Sequence, residues 1–281
     1  MQITPATKVV GLIGRPVAHS FSPILHNSVY QSLELDMVYH AFDVAPDKLE
    51  EAIDGFVALG FLGFNVTIPY KEKVCTLLNS IETEAQIIGA VNTVKIENGV
   101  LKGYNTDGQG FIMHMKKSGF SFYGKNIAIL GAGGASRAVS IYTAKEGAAS
   151  IQIINRTFSK ADTLAGIIND YIGGNIAKAS LEIPPNADFI INTTSLGMWP
   201  NIKTNPLEGF KLSEHTIVCD IVYNPRKTAM LKYAQKQGCK ICDGIGMLIG
   251  QAIRTMEIWL DHPIPKNIWK NMNHIIDGIN Y

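Results

Sequence analysis

A cluster of three glycines lies between a short apolar strand and a helical segment near the middle of the chain. The strand is predicted over Asn126–Leu130 and the helix over 135–146, and the sequence between them reads Gly131-Ala-Gly-Gly-Ala-Ser136. The first glycine of such a cluster permits a tight turn, and the second lets the backbone approach a pyrophosphate. Amides at the start of the helix can then hold the phosphates. The cluster predicts a dinucleotide site that consists of Gly131, Ala132, Gly133, Gly134 and Ala135.

The strand that follows this helix indicates which dinucleotide is bound. In NAD-binding domains it usually ends in Asp or Glu, which binds the ribose 2′-hydroxyl. Here the strand predicted over 151–155 ends in Asn155-Arg-Thr157, with Lys160 close behind. An acid there would repel a 2′-phosphate, whereas the planar donor fork of arginine can pair with one. NADP(H) is therefore the predicted cofactor, and its adenosine phosphate is expected to lie at Asn155, Arg156, Thr157 and Lys160.

Alternation of strands and helices predicts an α/β fold with two domains. The first domain comprises 1–107, is completed by helices in 245–281, and has a mostly parallel sheet with an irregular edge at the Asn98-Gly99 hairpin. Residues 108–244 form a Rossmann-type, doubly wound domain. The predicted strands of the two domains are 9–13, 39–44, 63–67, 90–96 and 100–104, then 126–130, 151–155, 187–192, 217–221 and 240–242. The predicted helices begin at Ser22, which is interpreted as an N-cap, and continue at 48–59, 70–88, 135–146, 159–171 and 244–279.

Composition narrows the function classes. The chain has 281 residues and a formal net charge of +1, and its basic residues form no stripe, so no nucleic-acid partner is expected. No run of 18 apolar residues and no secretory signal is present, which predicts a cytoplasmic protein without a membrane span. Cys239 and Cys242 have a C-x-x-C spacing, but no second ligand pair accompanies them, so they are interpreted as buried strand thiols and no metal is predicted.

Small polar side chains are concentrated at the strand ends of the first domain. Loops at the carboxyl ends of strands are where open α/β sheets bind ligands. Hydroxyl and amide groups there suit a small polyol acid, and a lysine with an aspartate suits proton transfer. The residues concerned are Ser20, Ser22, Asn65, Thr67, Lys71, Asn92, Thr93, Asn105 and Asp107.

Nine ordered blocks between residues 19 and 252 closely resemble the shikimate dehydrogenase family. They are His19-Ser-Phe-Ser-Pro23, Asn65-Val-Thr-Ile-Pro-Tyr-Lys71, Gly89-Ala-Val-Asn-Thr93, Tyr104-Asn-Thr-Asp107, Gly131-Ala-Gly-Gly-Ala-Ser-Arg-Ala138, Asn155-Arg-Thr157, Asn192-Thr-Thr-Ser-Leu-Gly-Met198, Asp220-Ile-Val-Tyr-Asn-Pro225 and Gly244-Ile-Gly-Met-Leu-Ile-Gly-Gln-Ala252. The resemblance implies NADPH-dependent, reversible reduction of 3-dehydroshikimate to shikimate, in the biosynthesis of chorismate and the aromatic amino acids. It also implies a small-molecule substrate as the main partner, and we expect a monomer or homodimer.

The resemblance also implies a role for each matching residue. Lys71 and Asp107 would be the catalytic pair, which also contacts the substrate, and Tyr223 would lie beside the substrate. The substrate carboxylate would be bound by Ser20 and Ser22. The ring hydroxyls and the ketone would be bound by Asn65, Thr67, Asn92 and Gln251. Positions around the nicotinamide and its ribose would be Ile221, Gly244 and Met247.

Three alternatives remain at this point. The nearest is a quinate/shikimate dehydrogenase of dual substrate or cofactor specificity, and Ser22 together with Asn155-Arg-Thr157 argues against it. A non-catalytic, metabolite-sensing module is disfavoured because Lys71 and Asp107 are both present. A folate-linked dehydrogenase of similar architecture would not require the Ser20-x-Ser22 pair.

Overall fold

The computed structural model describes residues 3–278 and divides the chain into two compact units. Of the described residues, the first unit contains 3–106 and 249–278, and the second contains 107–248. The strands are β1 (Lys8–Gly14), β2 (Met37–Asp43), β3 (Gly63–Val66), β4 (Ser80–Ile81), β5 (Thr93–Glu97), β6 (Val100–Tyr104), β7 (Asn126–Leu130), β8 (Ser150–Ile154), β9 (Ala177–Ser180), β10 (Phe189–Asn192), β11 (Ile217–Asp220) and β12 (Lys240–Cys242). The helices are α1 (Ser22–Ser32), α2 (Leu49–Ala58), α3 (Thr83–Ile88), α4 (Asp107–Lys117), α5 (Gly134–Lys145), α6 (Phe158–Ile172), α7 (Ala229–Lys236), α8 (Ile245–Leu260) and α9 (Ile268–Asp277).

The sheet of the first unit has the order β2-β1-β3-β5-β6-β4. Strands β1, β2 and β3 are parallel, whereas β5 runs antiparallel to both of its neighbours. The turn between β5 and β6 places Asn98 at φ 52° and Gly99 at φ 79°, the left-handed conformations that a tight hairpin requires. The predicted hairpin is confirmed. Apolar side chains of α2, such as Ile53 and Phe56, pack with those of β3 in a buried cluster.

Two local predictions in this unit are wrong. Residues 70–88 do not form one helix: a 3-10 helix at Lys73–Leu77 is followed by β4 and then by α3. Strand β4 forms because Ser80 and Ile81 pair with β6, a contact that the local sequence does not encode. Ser22 is not an N-cap either, since α1 already begins there and the N-cap position is occupied by Phe21.

The sheet of the second unit has the order β12-β11-β10-β7-β8-β9, and each of its five strand pairs is parallel. Read from β7, this is the 3-2-1-4-5-6 order of the doubly wound fold. Buried side chains from β7, β10, β11 and α7 form one core, with Ala128, Ile190, Val218 and Leu231 among them. The order reverses between β7 and β10, and ligands of such sheets bind outside the strand ends at that point. The predicted fold class is confirmed.

Three elements of the second unit had no separate sequence prediction. They are β9, α4 and α7. The predicted helical tail is two helices, because α8 ends at Leu260 and α9 begins at Ile268, with Pro263 and Pro265 between them. The last residues assigned to that tail, 279–281, lie outside the described residues.

Candidate active site

Backbone hydrogen bonds join the segments of the first unit that carry Lys71 and Asn92. The carbonyl oxygen of Lys71 accepts a hydrogen bond of 2.8 Å from the amide of Val91. The side-chain oxygen of Asn92 in turn accepts one of 2.8 Å from the amide of Thr106. Thr106 is covalently followed by Asp107, a buried residue that begins α4. Lys71 and Asn92 therefore lie on neighbouring segments, and Asn92 is bonded to the residue that precedes Asp107.

Asn65 is the centre of a buried hydrogen-bond network. Its Oδ1 accepts a hydrogen bond of 2.9 Å from the hydroxyl of Tyr39. Its Nδ2 donates to the carbonyl oxygen of Asn92 over 3.0 Å, to Thr93 Oγ1 over 3.0 Å and to Thr255 Oγ1 over 3.3 Å. Both ends of the amide are thus engaged within the protein, which fixes its orientation. Asn65 holds the backbone of Asn92 in place whatever else it binds.

A neutral histidine supports the tyrosine of this network. His26 stacks on Tyr39 with ring centroids 4.2 Å apart, and its Nδ1 lies 3.1 Å from the hydroxyl of Tyr30. Complete burial lowers the pKa of His26 to about 3, because desolvation penalises the charged imidazolium. The ring is therefore uncharged at neutral pH and holds Tyr39 by packing.

Ser20, Ser22 and Thr67 lie in segments that follow β1 and β3. The amide of Thr67 donates to the carbonyl oxygen of Ile13 over 2.9 Å. A Cβ on Gly14 would lie 2.3 Å from Thr67 Cγ2, so this close approach requires glycine. Ser20 Oγ accepts a hydrogen bond of 3.3 Å from the amide of Ser22 at the start of α1. The two hydroxyls thus lie at a helix N-terminus, whose partial positive charge favours a carboxylate.

The glycine cluster of the second unit connects the ends of three strands. Gly131 follows β7 at φ 115°, a conformation that L side chains rarely adopt. Its amide donates to the carbonyl oxygen of Ile154 over 2.8 Å, and a Cβ there would lie 2.7 Å from Thr193 Oγ1. Ser136 Oγ donates to the carbonyl oxygen of Gly131 over 2.6 Å. The predicted tight turn is therefore present where β7, β8 and β10 end.

The start of α5 offers an accessible set of amides. A Cβ on Gly133 would meet nothing within 4 Å, so a ligand can approach this backbone closely. Helix α5 begins at the next residue, and the amides of its first turn have no partner within the helix. Such a terminus binds anions. The segment Gly131–Ala135, which includes Ala132, thus fits the pyrophosphate of NADP(H).

The segment after β8 fits the additional phosphate of NADP(H). Asn155 Nδ2 donates to the carbonyl oxygen of Thr157 over 2.8 Å, which shapes the turn before α6. The side chains of Arg156 and Lys160 are exposed there, and no acidic residue occurs between Asn155 and Lys160. Two accessible basic side chains with no acidic residue between them suit a 2′-phosphate.

The loops after β11 and β12 lie close together at Ile221 and Gly244. A Cβ on Gly244 would lie 2.4 Å from the carbonyl oxygen of Ile221, so this contact requires glycine. Met247 is buried in the first turn of α8, and Tyr223 is half-buried in the loop after β11. The structure thus brings Ile221 and Gly244 together, as expected of residues that contact one ligand.

Asp220 is a buried carboxylate to which the sequence assigned no role. It accepts hydrogen bonds from Asn192 Nδ2 over 3.0 Å, from the amide of Val222 over 3.0 Å and from Thr228 Oγ1 over 2.7 Å. Burial raises the pKa of Asp220 to about 7, while the three donors act in the opposite direction. The carboxylate ties the end of β10 to the loop after β11.

Other residues that the sequence left without a function belong to the network of the first unit. Thr106 and Thr255 are buried, and their Oγ1 atoms lie 3.3 Å apart. Thr255 lies in α8 four residues after Gln251, which is half-buried. Helical spacing places residues four apart on the same face. This spacing is the one sequence signal that could have connected Thr255 with the substrate.

Among residues 3–278 no group of three or more His, Cys, Asp or Glu side chains is arranged to hold a metal ion. All four cysteines are free thiols. The described part of the chain has no helix that is long and apolar enough to cross a bilayer.

Two family models match the chain. One, described as the shikimate dehydrogenase substrate binding domain, matches residues 12–94, and the other, described as shikimate / quinate 5-dehydrogenase, matches residues 114–230. The chain belongs to the shikimate dehydrogenase family. The predicted family is therefore confirmed.

Similar proteins agree with this assignment. A shikimate dehydrogenase (NADP+) of Caldanaerobacter subterraneus subsp. tengcongensis is 46% identical over 262 residues, which cover 92% of this chain and 94% of the relative. One of Methanocaldococcus jannaschii is 46% identical and covers 99% of each chain. A solved shikimate dehydrogenase in complex with NADP+ has a TM-score of 0.92 and 44% identity, and covers 100% of this chain and 98% of its own. The predicted enzyme class, an NADP-dependent oxidoreductase, is confirmed.

Proposed function

We propose that this chain catalyses the NADPH-dependent, reversible reduction of 3-dehydroshikimate to shikimate, on the route to chorismate and the aromatic amino acids. The observation that carries the proposal is the hydrogen-bonded convergence of the segments at Lys71, Asn92 and Thr106, directly before Asp107. These segments are three of the ordered family blocks. The first unit would bind the substrate, and the second would bind NADP(H).

The proton transfer in this reaction is assigned to Lys71. NADPH, when bound, would supply a hydride to the carbonyl carbon of the substrate, and negative charge would then develop on the carbonyl oxygen. The ammonium group of Lys71 donates a proton to that oxygen as the charge develops, which lowers the barrier. In the reverse direction the neutral amine accepts the proton of the alcohol. The carboxylate of Asp107 orients and stabilises the ammonium.

The remaining polar side chains hold the substrate. Ser20 and Ser22 bind its carboxylate, supported by the N-terminus of α1. The ring oxygens are assigned to Thr67, Asn92 and Gln251, with Tyr223 beside the ring. Asn65 is proposed to contribute as well, and its network keeps Asn92 in place.

The cofactor is assigned to the loops at the strand ends of the second unit. The segment Gly131–Ala135 holds the pyrophosphate, and Asn155, Arg156, Thr157 and Lys160 hold the adenosine phosphate. Ile221, Gly244 and Met247 surround the nicotinamide and its ribose. A cytoplasmic location and a monomeric or homodimeric state remain predictions that accompany this function.

The experiment that tests the proposal follows the absorbance of reduced nicotinamide with four substrate pairs. Shikimate and quinate are each offered with NADP+ and with NAD+, and the Lys71→Ala variant is the control for contaminating activity. We expect shikimate with NADP+ to give the highest kcat/KM. A quinate rate equal to the shikimate rate, or equal efficiency with NAD+, would establish the dual-specificity alternative instead.

A further inference from the structure

The hydroxyl of Thr255 lies within hydrogen-bond distance of three other side chains. Its Oγ1 lies 2.9 Å from Thr93 Oγ1 and 3.3 Å from Thr106 Oγ1, and it accepts from Asn65 Nδ2 over 3.3 Å. A hydroxyl has one donor and two acceptor sites, so three partners use its full capacity. The side chain is completely buried.

The three partners of Thr255 come from separate segments around the proposed substrate ligand Asn92. Thr93 follows it directly, and Thr93 Oγ1 also donates to Asn92 Oδ1 over 3.0 Å. Thr106 Oγ1 accepts from Asn92 Nδ2 over 2.9 Å. Asn65 Nδ2 donates to the carbonyl oxygen of Asn92 over 3.0 Å. Each partner of Thr255 is therefore itself bonded to Asn92.

Thr255 also fixes the helix that carries Gln251. Residues 251, 255 and 259 of α8 follow each other at intervals of four and share one face. Trp259 Nε1 donates to the carbonyl oxygen of Val94 over 2.9 Å, and a Cβ on Gly63 would lie 2.4 Å from that nitrogen. The side chains of Thr255 and Trp259, which lie one turn apart, thus attach this face of α8 to the sheet. Gln251 lies one turn further toward the N-terminus of α8.

From this geometry we propose that Thr255 is a positioning residue for the substrate, acting through Asn92, Gln251 and the segment that leads to Asp107. The proposal deepens the function proposed above and rests on it. Thr255 does not touch the substrate. Its hydroxyl sets the position of side chains that do, and a displacement of about 1 Å in such groups can cost about 100-fold in rate.

The alternative is that Thr255 contributes only to stability. Loss of a hydroxyl from a buried network leaves its partners unsatisfied and destabilises the fold in either case. The two roles differ in the kinetics of the folded variant. A purely structural threonine leaves kcat and both KM values unchanged below the unfolding temperature, whereas a positioning threonine changes the parameters for shikimate alone.

The test compares Thr255→Val, which keeps the shape and removes the hydroxyl, with Thr255→Ser, which keeps the hydroxyl. For Thr255→Val we expect kcat/KM for shikimate to fall about 10- to 100-fold, with a raised KM for shikimate. The KM for NADP+ should stay within about twofold, since Thr255 is not among the residues assigned to the cofactor. Thr255→Ser should recover most of the activity.

Thr143→Val is the matched control. Thr143 is also a completely buried threonine in a helix, but its hydroxyl donates to a backbone carbonyl oxygen of its own helix, that of Val139, over 2.7 Å. This variant should lose stability and keep its kinetic parameters for shikimate. If Thr255→Val does not fold, Thr255→Ala leaves room for a water molecule and has the same expected kinetics.

Parent-like kinetics in folded Thr255→Val would overturn the proposal, and so would a Thr255→Ser variant no better than Thr255→Val. An equal rise in the KM values for shikimate and NADP+ would also overturn it, because that result indicates general distortion. The function itself is tested separately by the parent enzyme. If the parent does not oxidise shikimate, the proposed function fails, whereas an active parent with an unaffected valine variant refutes only the positioning role.

Discussion

The carbonyl oxygen of Lys71 accepts a hydrogen bond of 2.8 Å from the amide of Val91. The next amide along, that of Asn92, donates to the carbonyl oxygen of Tyr104 over 3.0 Å. One short segment is therefore bonded on one side to the chain at Lys71 and on the other to the end of β6. This arrangement brings distant parts of the sequence to one place. The residues proposed for proton transfer depend on it.

The first prediction concerns that proton transfer. Lys71→Ala should lower kcat for shikimate oxidation by about 10²- to 10⁴-fold with a much smaller change in KM, because the interaction lost exists mainly in the transition state. Lys71→Arg should not restore the rate, since a guanidinium does not deprotonate near neutral pH. Asp107→Asn should lower kcat as well. Steady-state kinetics with saturating NADP+ measures each value.

An alternative role for Lys71 gives a different set of results. If its ammonium only binds a substrate hydroxyl, Lys71→Ala should raise KM and leave kcat nearly normal at saturation. Lys71→Arg should then recover part of the affinity. Lys232→Ala, at an exposed lysine of α7, is the control for loss of one positive charge.

The second prediction concerns the cofactor. Arg156→Ala should raise the KM for NADP+ by about 10- to 100-fold, because a charge-assisted contact to the 2′-phosphate contributes about 1.5–3 kcal/mol. The KM for NAD+, which lacks that phosphate, should change little. Lys160→Ala should act in the same direction with a smaller effect, since a lysine does not form the bidentate contact. Equal changes in the two KM values would show that Arg156 does not contact the phosphate.

The fold was predictable where local pattern and tertiary structure agree. Each strand of the doubly wound sheet except β9 was predicted within a few residues, because buried parallel strands are short apolar runs. The segment 70–88 was not, since β4 exists only through its pairing with β6 and through Asn79, whose Oδ1 accepts from the amide of Leu101 over 2.7 Å. Partners that lie 22 residues apart leave no local signal.

The residues of the candidate site could be predicted from the sequence where they stand in the family blocks or at the ends of predicted strands. Lys71, Asn92 and Asp107 stand in such blocks, and the chain around Lys71 and Asn92 does converge. The role of Thr255 could not be read from the sequence, because its partners are at positions 65, 93 and 106 and the hydrogen bonds depend on tertiary packing. The assignment of the individual site residues to the substrate and to the cofactor stays a prediction.

The third prediction compares two glycines. Gly244→Ala should destabilise the second unit by about 1–3 kcal/mol and raise the KM for NADP+, since the added Cβ would lie 2.4 Å from the carbonyl oxygen of Ile221. Gly166→Ala is the control, because a Cβ there meets nothing within 4 Å and the residue lies in α6. It should stabilise the protein by about 0.5–1 kcal/mol. Urea unfolding and steady-state kinetics measure both variants.

The fourth prediction concerns Asp220 and the pH dependence of stability in the second unit. The pKa of this carboxyl is about 7 in the folded chain against an ordinary value of 3.8. Between these values the folded state binds a proton that the unfolded state has released, so stability falls as the pH rises from about 4 to about 7. Asp220→Asn should remove that loss, since an amide has no proton to titrate. Hydrogen exchange of peptides from residues 126–242 across this pH range measures it, and an unchanged slope in the variant would refute the assignment.

The fifth prediction concerns His26 and the pH dependence of stability in the first unit, whose sign is opposite to that expected for Asp220. Burial lowers the pKa of His26 to about 3 from an ordinary value of 6.5. Between these values the unfolded state binds a proton that the folded state excludes, so stability falls as the pH drops below about 6.5, by at most about 1.4 kcal/mol per pH unit. His26→Phe keeps the ring that stacks on Tyr39 and should flatten this slope in hydrogen exchange of peptides from residues 8–104. His262→Gln, at an exposed histidine of the same unit, should keep the slope of the parent. If His26→Phe and the parent lose stability equally on acidification, proton exclusion by His26 is not the cause.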